Sequence, residues 1–450
     1  MAAQFVRGLV SNGIGIATVL ATRVGGALLT LLMNSLVARL YGLEVAGRFF
    51  VFIALSVMVS VVVRGGLDTL LLRISSTEHP WITRFSLVYG MSGVALLTCA
   101  CTLISVTVAL LVPEALLRKY GLPGDLPWII VSGFSFAVAN IGAAIVQGRG
   151  KPNLTTAIRS SATPVAFMVL LAMLSAIADI GETGLRIIYA AASVAVGVFA
   201  IALSLGKAAP EAGDLPISPS HRRDIVRSAS AFYVVALLSM FILWFPQVYS
   251  AAHIAPGALA GLVFSLRISN SATMLIAAVN LLYAPYYAQL HSKGDSSALE
   301  RIVQTSTLAS GAMSLVLLAA AILFARPILE ILAPGLGTYE DIFRLAMVAQ
   351  FLSGVGGPRA NLLSMTHHEH DVLVSMIATA VICLASCVLL IGAMGAVGAA
   401  LAVIVTTAAM TVLSASFVYR RLDILPFGLG ILLRRAERST AEAPQRDIAS

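Results

Sequence analysis

The feature that most constrains the fold of this chain is a set of long apolar stretches. Four of them carry few or no charged side chains: 85–112, 228–252, 304–325 and 372–419. Each reaches the ~20 residues that a helix needs to cross the hydrocarbon of a bilayer. Spanning β-strands would be shorter and would alternate in polarity, whereas these stretches are continuous in Leu, Ala, Val and Ile. They therefore predict membrane-spanning helices.

Composition supports the same conclusion and excludes a soluble protein. Only 11% of the 450 residues are charged, whereas about 25% are charged in a typical soluble domain. So few charges cannot cover a water-facing surface of this size. The four cysteines, Cys99, Cys101, Cys383 and Cys387, all fall inside predicted spans, which favours small packing residues over a redox or metal role.

Hydropathy predicts an all-α chain of about twelve transmembrane helices. The predicted spans are 15–38, 46–72, 85–112, 126–147, 155–178, 186–205, 228–250, 258–284, 304–325, 340–364, 372–393 and 396–419. The longest loop divides them six and six. The predicted domains are an N-terminal six-helix lobe, a linker, a C-terminal six-helix lobe and a tail, at 1–205, 206–227, 228–419 and 420–450.

The distribution of basic residues predicts the orientation. Most Lys and Arg residues outside the spans lie on loops that share a side with the N-terminus. Short loops rich in Lys and Arg stay in the cytoplasm, so both termini, the linker and the tail are predicted to be cytoplasmic. The net charge of +8 follows from this bias, and no nucleic-acid partner is expected.

A short internal repeat accompanies the six-and-six division. Ala46-Gly47-Arg48-Phe49-Phe50 at the start of the second span is similar to Ala260-Gly261-Leu262-Val263-Phe264 at the start of the eighth. The fifth and sixth spans of each half are joined by short glycine-containing loops, at Gly181–Gly184 and Gly395–Gly398. These features predict a parallel repeat of two bundles, with its axis along the membrane normal.

Ionisable residues inside the spans are the candidate functional residues, because a charge in hydrocarbon is costly. They are Arg23, Arg64, Asp68, Arg267 and Arg359. Arg64 and Asp68 are four residues apart and can pair, which leaves open a purely structural ion pair. Snorkelling to the interface is the alternative for Arg23, and Arg359 lies close to the inner interface. Together, several buried cations and one anion favour a negative ligand, and Arg suits phosphate.

Four segments resemble bacterial polysaccharide flippases. They are 37–49 (Val-Ala-Arg-Leu-Tyr-Gly into Ala-Gly-Arg-Phe), 64–67 (Arg-Gly-Gly-Leu), 327–339 and 395–402 (Gly-Ala-Val-Gly-Ala-Ala-Leu-Ala). The chain thus resembles the oligosaccharide flippase branch of the multidrug/oligosaccharidyl-lipid/polysaccharide superfamily. The resemblance implies two six-helix lobes in a V around a central cavity. It also implies movement of an undecaprenyl-diphosphate-linked oligosaccharide from the cytoplasmic to the periplasmic leaflet of a bacterial inner membrane.

The resemblance also implies roles for particular residues and partners. Related lipid II flippases place arginines of the first, second and eighth spans around the diphosphate, and Arg23, Arg64 and Arg267 fall on those spans. Twelve spans, where lipid II flippases have fourteen, favour an O-antigen, capsule or exopolysaccharide unit over lipid II. Membrane lipid and a polysaccharide polymerase complex are the expected partners, and no cofactor is expected.

Two other functions remain open from the residues alone. A cation or drug antiporter of the same superfamily would rely on buried carboxylates, and Asp68 is nearly alone in the spans. A membrane-embedded polysaccharide polymerase or ligase would need a large outer loop, and the longest predicted one is roughly 325–340. The run His367–Asp371 has the composition of a metal site, but it lies in a predicted turn and is interpreted as a solvated loop. No metal and no enzymatic activity are expected.

Overall fold

The structure is a computed structural model that describes residues 2–68, 71–72, 125–205, 219–292, 296–359, 362–363, 366 and 368–424. Every element within these residues is helical, which confirms the all-α prediction. The helices are α1 Ala2–Arg64, α2 Leu126–Gly148, α3 Pro152–Ala157, α4 Thr163–Ser175, α5 Glu182–Leu205, α6 Pro219–Ala251, α7 Pro256–Ser292, α8 Ser296–Leu332, α9 Glu340–Val355, α10 Glu369–Ser386 and α11 Gly392–Leu422. π-Helical segments at Ile158–Ala162 and Cys387–Ile391 join α3 to α4 and α10 to α11.

Two long helices each contain a glycine break that separates two spans. Gly42 (φ +83°, ψ 166°) interrupts α1, and Gly395 (φ +59°) interrupts α11. Both positive φ values suit glycine, which has no Cβ to clash. The breaks coincide with the predicted boundaries between the first and second spans and between the eleventh and twelfth.

With these breaks, a helix occupies each predicted span except 85–112, which lies outside the described residues. Seven helical segments in the described part of the chain are long and apolar enough to cross a membrane. Two of them, Ala21–Arg64 and His370–Leu422, contain the breaks at Gly42 and Gly395. The chain is a multi-pass membrane protein. The total of twelve spans and the lobe boundaries stay predictions.

The two halves of the chain share one hydrophobic core at the end of the molecule that carries the turns at Gly42 and 333–339. We call this the closed end. The shared core joins Phe49 and Phe50 of α1 to Phe264 of α7 and to Leu329 of α8. In this region the backbones of α1 and α7 approach so closely that a Cβ on Gly47 would lie 2.0 Å from the carbonyl oxygen of Pro256.

Hydrogen bonds between the two halves also stabilise the closed end. Arg39 of α1 donates from Nε to the carbonyl of Leu332 at 3.0 Å and from Nη2 to the carbonyl of Ile331, and Ser35 also donates to Leu332. These carbonyls belong to the last turn of α8, where backbone C=O groups have no hydrogen-bond donor within the helix. The first half of the chain thus caps a helix of the second half.

A contact between equivalent positions supports the internal repeat. Phe50 and Phe264 occupy matching places in the two similar segments, and their rings meet edge to face with centroids 5.4 Å apart. Equivalent residues of a twofold repeat meet only near its axis. The contact is therefore the one expected if the axis of the predicted repeat passes through the closed end between α1 and α7.

Toward the opposite end, which we call the open end, the two halves have separate cores. Clusters around Ile141 and around Ala143 contain only first-half residues. A third cluster around Tyr287 contains only second-half residues. A shared core at one end and separate cores at the other leave a space between the halves that widens toward the open end.

A cationic cavity between the two halves

A cavity of about 390 Å³ lies between the two halves of the chain. It begins at Met33 and Ile53 of the shared core and reaches Arg64 and Arg159 toward the open end. Polar side chains from both halves line it: Thr30, Ser60, Asn140, Tyr189, Gln247, Asn270 and Ser271. The cavity can therefore hold a polar molecule in the middle of the membrane.

Arg267 lies in the deep part of this cavity. It is eleven residues beyond Pro256, the start of α7 at the closed end, or about 17 Å along the helix. Its guanidinium lies 5.8 Å from the ring centroid of Trp244, a geometry in which the indole face attracts a cation. Its Nε and Nη2 are buried and have no hydrogen-bond partner in the described part of the chain. They are available to a ligand.

Gln247 reinforces the deep site. Its side chain is 5% exposed and lines the cavity. Its Oε1 is buried and makes no hydrogen bond to any described residue. Buried polar atoms in proteins normally have a partner, so unpaired atoms on Gln247 and Arg267 point to a polar ligand between them.

Arg64 forms the predicted ion pair with Asp68, but not on a continuous helix. The helix ends at Arg64, and Gly65 and Gly66, with φ of +58° and +76°, turn the chain. Asp68 then accepts a hydrogen bond from Arg64 at 2.9 Å, and the two side chains are 14% and 16% exposed. The predicted span over 46–72 is therefore interrupted by a turn that returns the carboxylate to the arginine.

Arg159 is a cavity residue that the sequence analysis missed. It lies in the π-helix Ile158–Ala162 and lines the cavity, where its side chain is exposed. Its charged neighbours in the described part of the chain are Asp68, Arg64 and Arg23. It lies near the start of the fifth predicted span, where basic residues commonly belong to the interface. Its position inside the predicted span 155–178 was the signal for a role in the membrane.

The remaining two predicted site residues lie elsewhere. Arg23 is exposed on α1 and interacts electrostatically with Arg159, but it does not line the cavity. Arg359 is 8% exposed inside the second half, where its guanidinium packs on Gly356 beside Thr411. The structure thus brings Arg64, Asp68 and Arg267 to the cavity region and places Arg359 outside it.

Three guanidinium groups and one paired carboxylate give the described part of the cavity a net positive charge. Low-dielectric walls focus such a field and concentrate anions. Planar guanidinium groups bind carboxylates and phosphates through paired hydrogen bonds. The described lining of the cavity therefore favours an anion over a cation.

No family model and no curated protein matches the sequence. Solved structures do match. An inward-facing multidrug resistance MATE family transporter of the MOP superfamily aligns with a TM-score of 0.68 and 14% identity, over 90% of this chain and 94% of its own. The lipid II flippase MurJ in an inward closed conformation aligns with a TM-score of 0.69 and 11% identity, over 95% of this chain and 93% of its own.

The chain has the fold of the MOP superfamily. An outward-facing MATE family transporter of this superfamily aligns with a TM-score of 0.54 and 14% identity, over 91% of this chain and 95% of its own. This score is lower than that of the inward-facing structure. At the level of the fold, the resemblance predicted from the sequence is confirmed.

An apolar groove of about 250 Å³ lies beside the cavity. Ala27 and Ser271 line both spaces. The groove runs between α1 of the first half and α7, α8 and α9 of the second, and its other lining residues are Val24, Leu28, Ile268, Ala272, Leu317, Ala320, Ala321, Ile328, Phe343 and Met347. A polar cavity and an apolar groove thus lie side by side.

A network of charged side chains ties three helices of the first half together at the closed end. Arg186 of α5 binds both Asp125, just before α2, and Glu182. Glu182 also pairs with Arg48 of α1 at 3.3 Å. Burial raises the pKa of Asp125 to about 6; Arg186 opposes this shift, and Glu182 adds to it. The closed end therefore carries a carboxyl group that titrates in a mildly acidic range.

Proposed function

We propose that this protein is a flippase for a lipid-diphosphate-linked oligosaccharide used in cell-surface polysaccharide biosynthesis. It would move this lipid, built on undecaprenyl diphosphate, from the cytoplasmic to the periplasmic leaflet of a bacterial inner membrane. One observation carries the proposal: a cavity with three arginines lies beside an apolar groove. This combination matches a molecule with an anionic head and a long hydrocarbon tail.

The head of such a lipid fits the chemistry of the cavity. A diphosphate presents several anionic oxygens, which suit the unpaired Nε and Nη2 of Arg267. The sugars beyond the diphosphate need hydrogen-bonding groups, and Asn140, Asn270 and Gln247 line the same space. No single one of these residues specifies the sugar.

The tail fits the groove. The lining side chains are aliphatic or aromatic apart from Ser271, and Leu28 is 60% exposed on the flank of α1. A prenyl chain in the groove would exchange contacts with lipid tails for contacts with apolar side chains, so the tail would remain in an apolar environment. The head could then cross the membrane inside the protein while the tail remained outside.

Alternating access follows from the way the halves meet. In the proposed orientation the open end faces the cytoplasm and the closed end faces the periplasm. The better fit to an inward-facing transporter (TM-score 0.68) than to an outward-facing one (0.54) supports this. Rocking of the lobe 1–205 against the lobe 228–419 would separate Phe50 from Phe264 and bring the open ends together.

A cation or drug antiporter is the second candidate, because MATE family transporters share the fold. Such a protein needs an available carboxylate in its cavity. The carboxylate of Asp68 is held by Arg64 at 2.9 Å, and the field of three arginines repels cations. A membrane-embedded polymerase or ligase is a third candidate. The flippase is favoured over both, with a polymerase complex as its partner.

Complementation tests the proposal. Arg64 and Arg267 would each be changed to Ala and to Lys in cells that need this protein to display polysaccharide, with membrane levels measured in parallel. We expect the Ala variants to accumulate lipid-linked oligosaccharide and to lose display. Arg301→Ala is the matched control, because Arg301 is exposed near the start of α8 and does not line the cavity. Normal display by both Ala variants, together with increased drug sensitivity, would favour the antiporter.

A further inference from the structure

The cavity arginines lie at two different depths. Arg64 is 22 residues beyond the break at Gly42, or about 33 Å from the closed end along the helix. Arg267 is only about 17 Å from the same end by the same measure. Both helices run from the closed end to the open end, so Arg64 lies roughly 15 Å closer to the open end. This separation along the helices exceeds the length of a diphosphate, so the two arginines offer it positions at two depths.

The two depths also differ in their counter-charges. Near the open end, the carboxylate of Asp68 pairs with Arg64 and interacts with Arg159. In the deep part, no carboxylate interacts with Arg267 within the described residues; the guanidinium lies over the ring of Trp244 and interacts electrostatically with Tyr189. An arriving anion must compete with Asp68 at the first position, whereas no carboxylate of the described residues competes at the second.

We propose that Arg64 and Arg159 form an entry site for the diphosphate near the open end, and that Asp68 is a built-in competitor that keeps this site weak. The diphosphate displaces Asp68, binds briefly, and passes to the deeper site at Arg267. Asp68 then returns to Arg64. The π-helix Ile158–Ala162 supports this role, because such segments often mark functional sites, and here it carries Arg159 to the cavity wall.

The entry site needs a close approach between α1 and the π-helix. A Cβ on Gly26 would lie 2.3 Å from Oγ of Ser160, the neighbour of Arg159. Gly26 therefore allows the segment that carries Arg159 to pack against the first span. Arg23, one turn before Gly26 on α1, adds positive charge next to Arg159.

The proposal rests on the flippase function and is tested by binding of inorganic pyrophosphate to the purified full-length protein in detergent. Total binding is followed by calorimetry. The deep site is followed separately by fluorescence of Trp244, after the other two tryptophans, Trp81 and Trp128, are changed to Phe. The variants are Asp68→Asn, Arg159→Gln, Arg159→Lys and Arg267→Gln, with Arg301→Gln as the matched control.

We expect Asp68→Asn to tighten pyrophosphate binding about tenfold, because one opposing charge is removed from a partly screened site. We expect Arg159→Gln to weaken calorimetric binding while the Trp244 response keeps its midpoint, and Arg159→Lys to restore part of the affinity. Arg267→Gln should abolish the Trp244 response and leave the weaker entry site. A gain of affinity in Asp68→Asn is informative, since mere loss of structure would only reduce binding.

Three results would overturn the entry site. Asp68→Asn could leave the affinity unchanged or lower it. Arg159→Gln could shift the Trp244 response as much as total binding, which would mean one site. Arg267→Gln could remove all binding, which would leave the flippase proposal standing with a single deep site. The unmodified protein could fail to bind pyrophosphate while it binds sulfate or chloride as any cationic surface does. The entry site and the flippase proposal would then fail together.

Discussion

Replacing Gly47 by alanine should force the closed end apart. The added Cβ would lie 2.0 Å from the carbonyl oxygen of Pro256, and both atoms belong to backbone or are fixed to it. Non-bonded carbon and oxygen atoms need more than about 3 Å, so α1 and the start of α7 must separate by about 1 Å. Overpacking of this kind costs about 1–3 kcal/mol. Since about 1.4 kcal/mol is a factor of ten, the population of the closed-end contact should fall by roughly 5- to 150-fold.

Distances between spin labels measure this shift. One pair of labels at Glu44 and Thr338, both exposed, would report on the closed end. A second pair at Lys151 and Arg301, also exposed, would report on the open end. In Gly47→Ala we expect a longer distance for the first pair and a shorter distance for the second.

The matched control is Gly25→Ala, on the same helix, where an added Cβ meets nothing within 4 Å. Its distance distributions should equal those of the unmodified protein. If Gly47→Ala also gives unchanged distributions, the closed end is not a tight contact between backbones and the reasoning fails. A lengthening of both distances would instead show loss of packing without a rocking motion.

Three further predictions follow from single residues. Arg39→Ala removes the hydrogen bonds to Leu332 and Ile331, so the closed-end label pair should lengthen as in Gly47→Ala but by less, whereas Arg39→Lys should keep part of the contact. Gly66→Ala places a side chain at φ +76°, which costs about 1 kcal/mol and should lower the thermal unfolding midpoint; an unchanged midpoint would contradict the strained turn. Burial raises the pKa of Asp125 to about 6, so the folded state binds the proton more tightly than the unfolded state. The free energy of unfolding should therefore fall as pH rises from about 4 through 6. The thermal unfolding midpoint of Asp125→Asn should lack this fall, and an equal dependence of the midpoint on pH in both proteins would contradict the prediction.

Much of the architecture could be predicted because lipid imposes a simple rule on sequence. Long apolar runs with their backbone bonds satisfied internally must be helices, and the glycines at 42 and 395 stood where two runs met. The short match between 46–50 and 260–264 also located the repeat, whose equivalent phenylalanines touch. These features are local or periodic, so they can be read along the chain.

The site was less predictable because it depends on which way each helix faces. Arg159 lies a few residues inside its span, where basic residues usually belong to the interface, and a π-helical turn rotates it into the cavity. Arg359 lies in a glycine-rich segment, and its guanidinium fills the space above Gly356 inside the second half. Neither orientation can be deduced from hydropathy, which gives depth in the membrane and not direction.

The predicted ion pair between Arg64 and Asp68 is present, but the backbone between the two residues is not helical. Spacing of four residues on a helix predicted it, and the structure forms it across a two-glycine turn. Glycine pairs inside an apolar run are the available signal for such a turn, since consecutive positive φ values are accessible to glycine at little cost.

The most direct measurement is lipid flipping in reconstituted vesicles. The purified protein would be placed in liposomes with a fluorescent undecaprenyl-diphosphate sugar, and a reagent that cannot cross the membrane would quench the outer leaflet. We predict that the unmodified protein exposes the inner-leaflet lipid to quenching, that Arg301→Ala does the same, and that Arg267→Ala does not. Equal flipping by Arg267→Ala and the unmodified protein, or no flipping by a protein that folds and inserts normally, would contradict a flippase that carries its substrate through the arginine-lined cavity.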